Sequence, residues 1–230
     1  MKLCTFEVAT HLGRHRRLGA AKDGCTIDLN FATAWYMAQT GEPAPQQLAD
    51  ALVPPDIESY LRAGLRATHS AEELFLGAGP RPADWWKKEP APRGPNDETL
   101  VYLPGQARLL APLAGYAGPD EDIPAPAGGL ACEARLFPVA GLPRNDIPGL
   151  RDELRGIAGF TILADFGGRA AMGPYITTLD KIGDPEAIEI VARVNGAEQS
   201  RGKTVRAALK RGDTLELEAE LIGVLRSRIV

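Results

Sequence analysis

The chain has 230 residues, 44% hydrophobic and 24% charged, which suits a globular protein with one sizeable core and room for a small appendage. Its 26 basic and 30 acidic residues leave a formal charge of −4, so no overall field draws it to nucleic acid, and no apolar run reaches membrane-spanning length. Three scattered cysteines (Cys4, Cys25, Cys132) outside any C-x-x-C pattern argue against a disulfide framework or zinc site, and no signal-peptide core follows Lys2, so a reduced, cytoplasmic setting is expected.

The 19 prolines and 25 glycines predict a turn-rich, strand-dominated α+β fold. The first thirty residues read as strand, turn, strand: residues 2–8 alternate, Gly13 turns the chain, and Asp23-Gly24 is a hairpin signal before Cys25–Leu29. Residues 30–76 switch to helical spacing. Asp56 is placed to cap a helix carrying Ile57, Tyr60, Leu61 and Leu65, and Ser70 with Glu73 has the pattern of a capping box. The Pro-rich stretch 77–98 cannot hold a helix or a central strand and reads as a linker or wrapped loop. This divides the chain into a small N-terminal domain (1–76), that loop, and a β-rich core (99–230).

Within the core, Leu100–Leu103 and Leu130–Val139 read as strands. Ile147, Leu150, Leu154 and Ile157 recur at helical spacing, with Asn145 or Asp146 as cap and Pro148 in the first turn. Phe160–Phe166 is a strand. Ile188–Val194 runs into Asn195-Gly196, a strong hairpin signal. From Thr214 to Leu221 the residues alternate, with Leu215, Leu217, Ala219 and Leu221 on one face and Glu216, Glu218 and Glu220 on the other.

Several segments, in order, resemble the fumarylacetoacetate hydrolase family. MKLCTFEV, the Arg-Arg-Leu-Gly-Ala strand and CTIDLN resemble its N-terminal small domain, and RLLAPL (108–113) the segment leading into its catalytic core. GLACEARLFPVAG (129–141) is similar to its acidic metal-binding strand, and GFTILADFGGR (159–169) to the strand ending in a metal-binding aspartate. GPYITT (173–178), RVNGAEQSRGKT (193–204) and the closing LKRGDTLELEAELIGVLRSRIV follow in the family's order. The resemblance implies a mixed β-sandwich roll core with a small N-terminal α/β appendage, a dimer, and hydrolase, decarboxylase or tautomerase chemistry on β-dicarbonyl or 2-oxo acid substrates. It also implies a Mg²⁺ or Mn²⁺ ion where the site is functional.

The departures fall at the family's functional loops. GYAGPDEDIPAPA stands where an Asn-Tyr-x-x-His segment is usual, and no histidine follows His69. Only Ala170-Ala171-Met172 separates Arg169 from Gly173, where the family has a longer loop with glutamine and lysine. A Gly-Thr-Pro segment is missing between Thr204 and Val205. Glu133 and Asp165 match two of three metal-ligand positions, and the third falls on Arg135. A guanidinium has no lone pair for a metal. Arg135 is therefore expected either to replace the ion in a buried cluster with Glu133 and Asp165 or to reach solvent alone. The expected protein is a non-catalytic scaffold or partner subunit without a cofactor, a homodimer or a heteromer with a complete paralogue. The alternatives are a divergent enzyme relying on Arg135, Asp165 and Arg169, or a carboxylate binder gripping its ligand with Arg135 and Arg169.

Other features carry weaker signals. HLGRHRR offers a phosphate patch or a solvated loop. Glu216, Glu218 and Glu220 read as a solvated face with arginine neighbours such as Arg206 or Arg226. Trp85-Trp86 is either a partner contact or folded inward. Cys132, on the strand face opposite Glu133, reads as a core filler.

Overall fold

The computed structural model describes residues 1–11, 13–76, 85–87, 92–94, 99–143 and 146–230. It is strand-dominated, with 45% strand against 23% helix, as the turn-rich composition predicts. Its contacts divide into two compact units: Met1, Leu3–Arg108 and Gly141–Gly156, and Lys2, Leu109–Ala140 and Ile157–Val230.

In the first unit the strands β1 (Lys2–Thr10), β2 (Gly13–Lys22), β3 (Cys25–Asp28) and β4 (Val101–Tyr102) form an antiparallel meander. Asp23 and Gly24 both take positive φ, as a tight hairpin requires. Four helices follow β3: α1 (Leu29–Gln39), α2 (Pro45–Leu52), α3 (Ile57–Ala63) and α4 (Leu65–Leu76). Alanines 32, 34, 49, 67 and 71 are fully buried, which lets these helices approach closely. Asp56 caps α3 by accepting from Ser59 N at 2.8 Å, as its position predicts. The Ser70/Glu73 pair is no capping box, because α4 already begins at Leu65, directly after Gly64 at φ 63°. Asp28 caps α1 by accepting from Phe31 N at 2.9 Å.

Most of the Pro-rich loop lies outside the described residues, as do Asn145 and the side chain of Trp86. Trp85 turns inward: it is fully buried, stacks on Trp35 at 5.0 Å and donates from Nε1 to Leu74 O. The helix expected after residue 145 does not form. Gly149 takes φ 73°, a single 3₁₀ turn spans Asp152–Leu154, and Ile157 is drawn into a strand opposite Ala140.

The strand β5 (Arg108–Leu110) is followed in the second unit by β6 (Asp122–Ile123), β7 (Leu130–Ala140), β8 (Ile157–Asp165) and β9 (Ala170–Thr178). After the short α5 (Leu179–Ile182) come β10 (Ile190–Val194), β11 (Ala197–Gly202), β12 (Thr204–Leu209), β13 (Thr214–Ala219) and β14 (Gly223–Ile229). Strands β12, β7, β8 and β9 lie side by side, all antiparallel. A second sheet runs β11-β10-β13-β14-β6. Asn195 and Gly196 make the β10–β11 turn with φ of 51° and 81°, as the sequence predicts. Alternation buries Leu215, Leu217 and Ala219 of β13 together with Val205 and Leu209 of β12 and Leu225 and Ile229 of β14. Leu221 departs from the expected pattern: it sits past the strand end at φ 66°, 42% exposed.

Candidate carboxylate–guanidinium site

Glu133 and Arg135 stand two apart on β7, so they share a face. Cys132 and Ala134 take the other face and are buried. Register then assembles a row across three strands: Arg206 of β12 pairs with Glu133, and Glu133 with Asp165 of β8. The next row is Thr204, Arg135, Leu163 and Met172. Cross-strand neighbours on one face lie within side-chain reach.

Glu133 is the hub. Its Oε2 accepts from Arg206 Nε at 2.9 Å and lies 2.8 Å from Nη2, and its Oε1 lies 3.7 Å from Arg135 Nη1. Asp165 looks the other way: its Oδ1 accepts from Gly167 N at 2.8 Å, inside the turn closed by Phe166 N donating to Arg169 O. Among the described residues no ion pair joins Asp165 to Arg135, and none reaches the exposed Arg169. The expected buried cluster is thus corrected to a solvent-facing Arg135–Glu133–Arg206 network, with side chains 48%, 39% and 80% exposed. The cause is the row beside it. Leu163, Met172 and Ala111 are buried there, with Leu113, Tyr116, Phe137 and Ala170 packed against them. That apolar cluster takes up the interior side of the face and leaves the charged end open to water.

Arg206 was not identifiable as Glu133's partner from sequence, since 73 residues separate the two and only the β12–β7 register joins them. The other arginine expected beside the β13 glutamates is there: Arg226 Nη2 lies 2.8 Å from Glu216, while Arg193 holds Glu218 at 2.6 Å. The Cys132 thiol is pushed up to about 12, first by burial and then by the Asp165 and Glu133 charges, so it is inert filler at neutral pH. In HLGRHRR, residues 14–16 are exposed, but Arg17 folds inward onto Asp28 at 2.7 Å.

These donors do not fit a hard divalent ion, which takes about six oxygen ligands. Glu133 is clasped by two cations, Asp165 beside it in register turns its carboxylate onto Gly167 N, and the described residues hold no group of three His, Cys, Asp or Glu placed to bind a metal.

No family model and no curated protein matches the sequence. Solved structures do match, and they establish the fold: the chain folds like maleylpyruvate hydrolase, fumarylacetoacetate hydrolase and related solved proteins. It is similar to maleylpyruvate hydrolase from Sphingobium sp. SYK-6, at 16% identity and a TM-score of 0.63 over 100% of this chain and 99% of that one. The same protein in complex with manganese(II) and pyruvate matches equally. Fumarylacetoacetate hydrolase from psychrophilic Exiguobacterium antarcticum matches at 18% identity and 0.55, over 99% of each chain. The 2-hydroxyhepta-2,4-diene-1,7-dioate isomerase from Mycobacterium marinum matches at 17% and 0.56, over 100% of this chain and 98% of that one. At these identities the likeness establishes the fold alone.

Proposed function

We propose that the chain is a non-catalytic relative of the fumarylacetoacetate hydrolase-like enzymes, in which a guanidinium network stands in for the divalent ion. The observation that carries this reading is the double hold of Arg135 and Arg206 on Glu133, directly opposite Asp165. With Glu133's charge answered by two cations, its carboxylate is already engaged where the family's metal ligand would stand. Beside it Leu163 and Met172 add no acid or base, and Tyr116 packed against them supplies the one hydroxyl of that cluster. On this reading the protein serves as a scaffold or partner subunit, forming a homodimer or a heteromer with a catalytically complete paralogue. No helix among the described residues is long and apolar enough to cross a membrane; the cytoplasm is proposed on a separate ground, the three unpaired cysteines.

A second reading rests on the solved neighbours, which are described as a hydrolase and an isomerase, one of them holding manganese and pyruvate. A divergent hydrolase, decarboxylase or tautomerase of 2-oxo acids would rely on Arg135, Asp165 and Arg169, or on Mg²⁺ or Mn²⁺ held at Glu133 and Asp165. The two readings separate on turnover. Acylpyruvates and oxaloacetate are incubated with the purified protein, with and without Mn²⁺. No turnover in either condition, together with capture of a longer homologue from the source cells, supports the partner-subunit reading. Mn²⁺-dependent turnover lost in Asp165→Asn supports the enzyme.

A further inference from the structure

A second polar centre lies wholly within the first unit. Arg17 is fixed on all but one side: Nε and Nη2 donate to Asp28 at 2.7 and 3.0 Å, and Nη2 also donates to Asn30 at 3.0 Å. Its guanidinium carbon sits 3.7 Å over the Phe31 ring centre. Asn30 is tied in turn to Asp50 at 2.9 Å and to Val53 O at 2.8 Å. The remaining nitrogen, Nη1, has no hydrogen-bond partner among the described residues.

Arg17 also lines a cleft of about 490 Å³, together with Val8, His15, Phe31, Pro55 and Tyr102, among others. This volume lies within the range of small-molecule pockets; its wall mixes apolar and aromatic side chains with polar ones, and Arg16, Arg17 and His15 outnumber the single carboxylate, Asp56. The β1–β2 register sets His15 two residues from Arg17 on the same strand face, opposite Val8. His15 is exposed and has no partner among the described residues.

We propose that this cleft binds a small monocarboxylate with a flat apolar body. The carboxylate accepts from Arg17 Nη1 and a His15 ring nitrogen, and the body packs against Val8, Pro55 and Tyr102. Because the buried network already holds the guanidinium, little side-chain entropy is lost on binding. The site is independent of the reading of Glu133 and Asp165.

The test uses the full-length, ¹⁵N-labelled chain, with 2-naphthoate as probe and 2-naphthamide as its uncharged counterpart. The proposal requires saturable amide shifts around residues 8, 15–17 and 31 with 2-naphthoate, and weaker binding of the amide. His15→Ala, at an exposed position that leaves the core intact, is expected to weaken 2-naphthoate about three- to tenfold, the effect of one hydrogen bond. Val8→Phe, which fills the cleft, removes binding. The proposal is overturned if shifts centre on Arg135 and Arg206, if the amide binds as well, if both variants bind unchanged, or if no saturable shift occurs below about 1 mM.

Discussion

Asp28→Ala tests how the first unit is held together. The Asp28 carboxylate is fully buried, and Arg17, its bidentate partner, is only 14% exposed. Burial pushes the Asp28 carboxyl upward in pKa, and the Arg17 charge and hydrogen bonds oppose that shift. Removing the carboxylate leaves a guanidinium with little access to water, at a cost of about 3–5 kcal/mol. It also removes the α1 cap on Phe31 N, worth about 1 kcal/mol. The sum, about 4–6 kcal/mol, is comparable to the whole stability of many domains. With a urea m-value of about 2 kcal/mol/M, the midpoint falls by about 2–3 M. All three tryptophans (Trp35, Trp85 and Trp86) lie within Leu3–Arg108, so intrinsic fluorescence follows this unit directly. Arg135→Ala is the contrast, since its half-exposed pair with Glu133 should contribute about 0–1 kcal/mol. A midpoint shift in Asp28→Ala no larger than that of Arg135→Ala would refute the reasoning.

Three further outcomes follow from local chemistry. In the native protein a thiol reagent should modify the half-exposed Cys25 promptly and reach Cys4 and Cys132 only on unfolding, since burial pushes both of those thiols up; three fast equivalents contradict this. The Asp213 carboxylate is held below its usual range by Lys210 N–H and the Asn195 side chain. Its stabilisation is therefore complete above the unfolded value of about 3.9 and is lost as pH falls through the folded value. Asp213→Asn should flatten that part of the acid-unfolding curve, and parallel curves for the two proteins would count against it. At Gly159 an added Cβ would lie 2.3 Å from Thr177 O, so Gly159→Ala should cost about 1–3 kcal/mol in a thermal melt; an unchanged melt means the β8–β9 pairing yields more easily than drawn.

Local signals in the sequence carried most of the fold. Asp23-Gly24, Asn195-Gly196 and the alternation of Thr214–Ala219 each encode their geometry within a few residues, and each folds accordingly. The misread elements were those where a longer-range partner decides. Ile157 keeps helical spacing with Leu154 and Leu150, but the β7 edge claims it for β8. Ser70 and Glu73 have a capping pattern, but Gly64 sets the helix start six residues earlier. The candidate site was half legible. The spacing of Glu133 and Arg135 announces their shared face, and the resemblance brings in Asp165. Neither could reveal Arg206, which arrives across the β12–β7 register, nor the Leu163–Met172 cluster that leaves the charges in water. The Arg17–Asp28 pair was hidden too, because a basic run at a turn gives no sign of which arginine folds inward.

The most direct test of the central claim is divalent-ion binding, measured by titration calorimetry and by the metal content of the purified protein, for the wild type and for Arg135→Glu. The account predicts no stoichiometric Mg²⁺ or Mn²⁺ in the wild type and a gained ion in the variant, where a third carboxylate joins Glu133 and Asp165. A stoichiometric ion in the wild type would contradict it.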